Sequence, residues 1–247
     1  MIRADIRGHV GHITLCRPQA HNALTKAAMS DIKTVLTDWH QEDIRAVVIT
    51  GEGKSFCAGA SLDELGDGSW DDNPLTSLCD TVEGFKAPVI AALNGGVFGG
   101  GVELALACDF RIGVAGMKMF VPPAKLGIHY DSAGISRAVQ RLGAQMARRV
   151  FLLAESFEAD ALLAAGFVDD IVAPDALEQR VGAMADQITA LAPLAVQGMK
   201  RTILEISRAT LDESAAKARV KACFASDDHA EGLAAMREKR APVFTGN

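Results

Sequence analysis

The run VFGGGVELALACD at residues 97–109 sets three consecutive glycines and a single glutamate into an otherwise apolar, helix-like stretch. Glycine lets a backbone turn tightly and lets a ligand approach the main chain. The first N–H groups of a helix are unpaired and carry partial positive charge. Gly99–Gly101 at the first turn of a helix would therefore hold an anion, and Glu103, three residues after Gly100, falls on nearly the same helix face. A donor and a carboxylate aimed at one point suit a reaction that builds charge on an oxygen while a proton moves. The bland alternative is that the glycines only permit close helix packing and that Glu103 caps the helix. A second glycine loop, CAGASL at residues 57–62, weighs against it. That loop offers another exposed N–H near Ala60, and two donors from separate loops are what an oxyanion hole requires.

Other signals carry less. Gly53-Lys54-Ser55 looks like the end of a phosphate-binding P-loop, but that motif needs a glycine where Val48 stands. His9 and His12 fall three apart in a strand-like stretch, so they point to opposite faces and cannot share a metal without a bulge. There is no G-x-S-x-G nucleophile elbow, and Cys57 sits among small residues without an evident base.

The elements that must carry the two loops can be read from the surrounding pattern. Residues 2–7 and 9–16 alternate around Gly8 as a β-hairpin that Arg17-Pro18 ends. Thr25 caps a helix running to about Trp39. Arg45–Thr50 is a short buried strand leading into the glycine-bearing loop GEGKSFCAGA, and Pro88–Leu93 is a second strand leading into residues 94–101. Strand, glycine loop and helix thus recur, with a further βα-like passage at 110–140, which predicts stacked βα units around one layered core. After Val168–Val172 the pattern is helical, near 175–190, 194–208, 211–225 and 227–238. Residues 66–74 read as a polar surface loop.

A chain of 247 residues with 49% apolar content buries a sizeable aliphatic core, and its net charge of −6 argues against a nucleic-acid footprint. Five cysteines without a C-x-x-C pair indicate neither a disulfide framework nor a zinc knuckle, which fits a reducing cytoplasm. The first residues show no secretory signal, and no apolar segment reaches spanning length, so no membrane partner is expected.

Residues 56–65 (FCAGASLDEL), 87–111 (APVIAALNGGVFGGGVELALACDFR) and 126–128 (LGI) together resemble the crotonase superfamily, the enoyl-CoA hydratase/isomerase family. The resemblance runs from RPQAHNAL at 17–24 to EKRAPVFTG at 238–246. It implies an α/β fold, a spiral of ββα units, with a core over residues 1–190 and a helical C-terminal oligomerisation region over 191–247. It also implies a homotrimer or homohexamer. The implied ligand is an acyl-CoA thioester whose carbonyl oxygen lies between the N–H groups of Ala60 and Gly100, stabilised as an enolate. Each donor of such a pair is worth about 3 kcal/mol. Coenzyme A arrives with the substrate, so no separate cofactor and no metal are implied.

Glu103 matches the first of the two glutamates in the family's hydratases. The second falls in a loop reading approximately G-Q-P-E-x-x-L-G, whereas this chain reads FVPPAKLG at 120–127 and places Pro123 at that position. Proline cannot exchange a proton, so a standard two-glutamate hydratase is not expected. Asp131, in GIHYDSAG at 127–134, matches the aspartate with which some isomerases of the family move protons along the acyl chain. Its alternative role is to cap the helix beginning near Ala133. By the same resemblance Gln19, Ala20, His21, Ala58, Ser61, Leu62 and Gly99 bind the substrate. His129 and Tyr130 are expected simply to line the acyl pocket. The basic run at 237–240 with Phe244 is a candidate to reach the CoA phosphates, its alternative being an ordinary solvated helix end. Double-bond isomerisation and atypical hydration are the two reactions expected. The alternatives are a catalytically inert acyl-CoA binder and an RNA-binding or scaffolding homologue, the latter opposed by the acidic composition.

Overall fold

The alternation around Gly8 forms the expected hairpin. In β1 (Ile2–Arg7) and β2 (Val10–Leu15) the strands pair antiparallel, with Ile2 opposite Leu15 and Arg7 opposite Val10. His9 belongs to the turn rather than to a strand, with its ring 3.0 Å from Asp43. The molecule is represented by a computed structural model that describes residues 1–61, 64 and 73–247. The expected surface loop at 66–74 lies outside the described residues except for Asn73 and Pro74.

From β2 onward a large sheet grows by parallel addition of β3 (Ala46–Gly51), β5 (Val89–Leu93), β7 (Phe110–Val114) and β10 (Asp170–Val172), in the order β1-β2-β3-β5-β7-β10. A smaller sheet collects β4 (Ser55–Cys57), β6 (Gly96–Phe98), β8 (Lys118–Phe120) and β9 (Phe157–Glu158). From β3 to β8 successive strands thus alternate between the two sheets. Each of three successive windings closes with a helix: α2 (Pro74–Glu83), α3 (Gly100–Ala107) and α4 (Ser132–Leu152). The result is the expected α/β spiral of strand, strand and helix. The central strands are apolar on both faces, as a covered parallel sheet requires; Val47, Ile49, Val89, Ile90, Ile112 and Leu93 are all buried.

Thr25 caps α1 (Lys26–Trp39) by accepting from the Ala28 N–H at 3.1 Å, and Met29, Ile32 and Leu36 turn its apolar stripe into the core. The strands β4 and β9 went unseen in the sequence, where three residues and two residues are too few to show a period. Helix α4 contains a break at Gly143, whose φ of 77° no helix accommodates.

Beyond α5 (Ala159–Ala164) and α6 (Leu177–Thr189), the chain ends in α7 (Pro193–Ser207), α8 (Glu213–Phe224) and α9 (Asp227–Glu238). These last helices are tied to the core by named charges. Lys200 Nζ donates to the Ala87 carbonyl at 2.8 Å and pairs with Asp109 at 2.7 Å, and Arg45 donates to the Phe244 carbonyl at 3.0 Å. Met199, Ile203, Val220, Phe224 and Met236 leave an apolar face on this helical region. No helix among the described residues is long and apolar enough to cross a membrane.

Candidate active site

Two loop ends meet at the N terminus of α3. Gly99 leaves β6 with φ 51° and donates its own N–H to the Phe120 carbonyl at 2.9 Å, and Gly100 follows as the first helical residue. The first N–H groups of a helix have no acceptor one turn back. Gly100 accordingly donates no hydrogen bond to any described residue.

The loop after β4 reaches the same point. Leu24 bridges Ala60 in parallel: the Leu24 N–H donates to the Gly59 carbonyl at 2.7 Å, and the Ser61 N–H donates to the Leu24 carbonyl at 2.8 Å. Main-chain groups alternate in direction along an extended segment, so the N–H of Ala60 points away from Leu24. It too donates no hydrogen bond to a described residue. The two loops touch through glycine. A Cβ on Gly59, at φ 85°, would lie 2.3 Å from the nitrogen of Gly100, and one on Gly100 would lie 3.5 Å from the nitrogen of Ala60. A Cβ on Gly101 would lie 2.3 Å from the carbonyl oxygen of Cys57. The paired-donor geometry therefore exists only because no side chain separates the loops.

Glu103 follows one turn into α3 and is 2% exposed. Its Oε1 accepts from Arg137 Nη1 at 2.6 Å, while its Oε2 is buried without a hydrogen-bond partner among the described residues. Arg137, buried on α4, also donates from Nε to Glu83 at 3.1 Å and from Nη2 to Asp80 at 2.5 Å, both on α2. Arg208, following α7, bonds the same two acids. Gly134 packs directly on the glutamate, since a Cβ there would lie 2.6 Å from Glu103 Oε2 and 2.3 Å from the Tyr130 ring.

Burial pushes the Glu103 carboxyl above the usual carboxylate range. The Arg137 cation and the Tyr130 hydroxyl beside it oppose that rise, and the charges of Asp131 and Asp80 add to it. A buried carboxyl whose proton affinity is raised in this way is suited to carry a proton. Burial and the Glu103 charge together push the Tyr130 phenol well above its ordinary value, which leaves it a neutral donor. Burial also raises the Cys57 thiol to about 12, so it is no thiolate nucleophile.

Asp131 does cap α4: its Oδ1 accepts from the Ala133 N–H at 2.8 Å. Its Oδ2 makes no hydrogen bond among the described residues, and its charge is felt at Glu103. Of the two roles considered from sequence, the structure thus shows the cap. Pro123 begins a 3-10 turn, Pro123–Leu126, and supplies no ionisable group. His129 is exposed, with Nδ1 2.7 Å from the Tyr130 carbonyl, whereas Tyr130 reaches the carboxylate rather than only lining a pocket.

Among the remaining expected binding residues, Gln19 and Ala20 lie in the 3-10 turn Pro18–Ala20, and His21 follows with φ 49°. His21 Nδ1 lies 3.0 Å from Ser55 Oγ, which joins this turn to β4. Ala58 is half-buried beside Gly99, Ser61 is buried, and Leu62 lies outside the described residues. Arg240 does not present a free charge from the C-terminal run, since Glu231 at 2.6 Å and Glu238 at 2.6 Å hold it. Asn22, unmarked in the sequence reading, organises the whole corner. Its side chain accepts from the Arg17 N–H at 2.9 Å and donates to the carbonyls of Glu52 at 2.9 Å and Ser55 at 2.8 Å.

Comparison with known proteins gives a consistent picture. The sequence model of the enoyl-CoA hydratase/isomerase family matches residues 5–247. The probable enoyl-CoA hydratase echA8 of Mycobacterium tuberculosis is 34% identical over 242 residues, spanning 96% of this chain and 94% of that protein. The crotonyl-CoA hydratase of Syntrophomonas wolfei is 34% identical over 240 residues, spanning 92% and 91%. The crystal structure of an enoyl-CoA hydratase from Bacillus anthracis superposes with a TM-score of 0.92 at 31% identity, covering 100% of this chain and 99% of that one.

Proposed function

Because the chain belongs to the enoyl-CoA hydratase/isomerase family, we propose that it carries out proton transfer on an unsaturated acyl-CoA thioester, with the N–H groups of Ala60 and Gly100 receiving the thioester oxygen. The observation that carries this reading is the pair of uncommitted N–H groups at the contact of two glycine loops, one helical turn from a buried carboxylate with one uncommitted oxygen. As the α-proton leaves, negative charge gathers on the thioester oxygen, where two preorganised donors act without reorienting. Glu103 takes the proton on Oε2. Delivering it to the γ-carbon would complete a 1,3-shift, and Asp131 is proposed to share that step through Oδ2, a reading supported by its charge being felt at Glu103.

The reaction favoured is double-bond isomerisation, or hydration by an atypical route, because Pro123 leaves no second glutamate to direct water. Gln19, Ala20, His21, Ala58, Ser61, Leu62 and Gly99 are proposed to contact the CoA portion or the thioester. Residues 191–247 are proposed as an oligomerisation region for a trimer or hexamer, on the strength of their exposed apolar face. A cytoplasmic setting is likewise proposed, with the free cysteines as its support. A second reading, an inert acyl-CoA binder, draws on the Arg137 ion pair at Glu103 Oε1 and on Pro123.

The deciding experiment incubates 2-enoyl-, 3-enoyl- and saturated acyl-CoA thioesters in deuterated water and reads products and deuterium by mass spectrometry. Isomerisation with α-deuteration is expected. Binding with neither product nor exchange would establish the inert binder instead.

A further inference from the structure

The side-chain cluster behind Glu103 has a division of labour that the reading above does not use. All three guanidinium nitrogens of Arg137 are engaged, one each by Glu103 Oε1, Glu83 and Asp80. The guanidinium plane is therefore fixed by α2, and in turn fixes one oxygen of a carboxylate on α3. The other oxygen, Oε2, is buried beside Gly134 and the Tyr130 ring, without a hydrogen-bond partner among the described residues. Swinging the carboxylate out of this plane would break a charge-assisted bond of 2.6 Å and leave a buried guanidinium N–H unpaired, and a half-turn would only exchange two equivalent oxygens, so the position away from Arg137 stays the unbonded one.

We propose that Arg137 is a positioning residue that locks Glu103 Oε1 and thereby assigns proton transfer to Oε2 alone. This rests on Glu103 being the proton carrier, as proposed above. Arg137 also keeps the resting glutamate charged, the form that can accept a proton, in a place where burial favours the neutral acid. The groups that face Glu103 are Arg137, Tyr130 and Asp131 from α4 and the segment before it, with Cys79 and Asp80 from α2 and Glu83 reached through Arg137. Of these Arg137 is the only cation. Loosening its contact with Oε1 and removing a neighbouring anion should therefore move the titration of Glu103 in opposite directions, which a merely structural link between α2 and α4 would not do.

The test uses Arg137→Lys and Asp80→Asn in the full-length protein. Lysine keeps the charge but cannot serve three carboxylates in one plane, and Asp80 is half-exposed, so asparagine there removes the charge while its amide oxygen can still accept from Arg137. Glu103 is titrated directly by carbon NMR with labelled glutamate, its signal assigned by loss in Glu103→Gln. Butyryl-CoA is the kinetic probe, its α-proton exchange in deuterated water followed against pH. In Arg137→Lys the Glu103 midpoint and the acid limb of exchange should move to higher pH, and exchange should fall about 100-fold, the scale of misplacing a reacting group by an ångström. In Asp80→Asn the midpoint should move to lower pH. A midpoint unmoved in folded Arg137→Lys, or unmoved in Asp80→Asn, overturns the proposal. Midpoints that move as stated in a protein that exchanges no thioester proton support the role of Arg137 and refute the acyl-CoA reading instead.

Discussion

The α-carbon of Gly59 faces the backbone nitrogen of Gly100 so closely that a Cβ on Gly59 would lie 2.3 Å from it. The obstacle is main chain on both sides, so no side-chain rotation relieves it, and φ of 85° disfavours any residue but glycine. Gly59→Ala is expected to lose about 1–3 kcal/mol of stability through strain. It should also separate the two N–H groups and lower thioester exchange. Urea denaturation and α-proton exchange measure the two effects; full exchange in the variant would show that the loop contact is not where the thioester oxygen binds.

Glu103→Gln keeps size and a hydrogen-bond acceptor for Arg137 while removing the base. Turnover should fall by about two to four orders of magnitude with acyl-CoA binding retained. Equal rates in variant and parent would move proton transfer to another group.

The same substitution makes a stability prediction with a definite sign. Glu103 titrates above its unfolded value, principally through burial. Its favourable contribution is then full below the unfolded pKa, about 4.3, and is lost as pH rises through the higher folded value. The amide does not ionise. The melting temperature of Glu103→Gln should therefore gain on that of the parent from acid toward neutral pH. A melting temperature for Glu103→Gln that instead falls relative to the parent over that interval would mean that the ion pair with Arg137 outweighs burial.

Asp131→Asn separates the two roles of that residue, because asparagine caps a helix about as well as aspartate. Helix α4 should stay intact by circular dichroism. 3-Enoyl-CoA isomerisation should fall sharply, and α-proton exchange, which needs one base, should fall less. Fast crotonyl-CoA hydration by both proteins would show that water is directed without a second carboxylate.

Asn22 joins the 17–24 turn to β3 and β4 with three hydrogen bonds while only 1% exposed. Asn22→Leu leaves the Glu52 carbonyl and the Arg17 N–H without this partner, while the Ser55 carbonyl keeps Asn94 Nδ2 at 3.3 Å, at about 1–3 kcal/mol for each group left buried and unpaired. Denaturant midpoints should show it among the more damaging single substitutions.

The features readable in the sequence were those whose signal is local. The glycines at 59 and 99–101, Glu103 one turn on, and the apolar strands at 46–51 and 89–93 all declare themselves within a few residues. Arg137 does not. It lies 34 residues from Glu103, on a helix whose neighbouring Ser136 and Val139 are exposed, and a charge in that setting reads as solvated. One clue was present: Gly134 precedes Arg137 by three, so both lie on the face of α4 that packs against α3. Asn22 was equally hidden, since its partners at 52 and 55 come together only when the hairpin pairs with β3. The short strands β4 and β9 take their identity from the strands beside them rather than from any pattern of their own.

The bridge between Leu24 and Ala60 has a consequence for which chain-length changes this corner can tolerate. Leu24 engages the residues on either side of Ala60, and this alternation turns the Ala60 N–H toward Gly100. Inserting or deleting a single residue between Cys57 and Ser61 would preserve a bridge but reverse its parity, presenting a carbonyl where a donor now stands. The corner would then repel an oxyanion. A two-residue change would restore the sense, so its tolerance to insertions should depend on odd or even length.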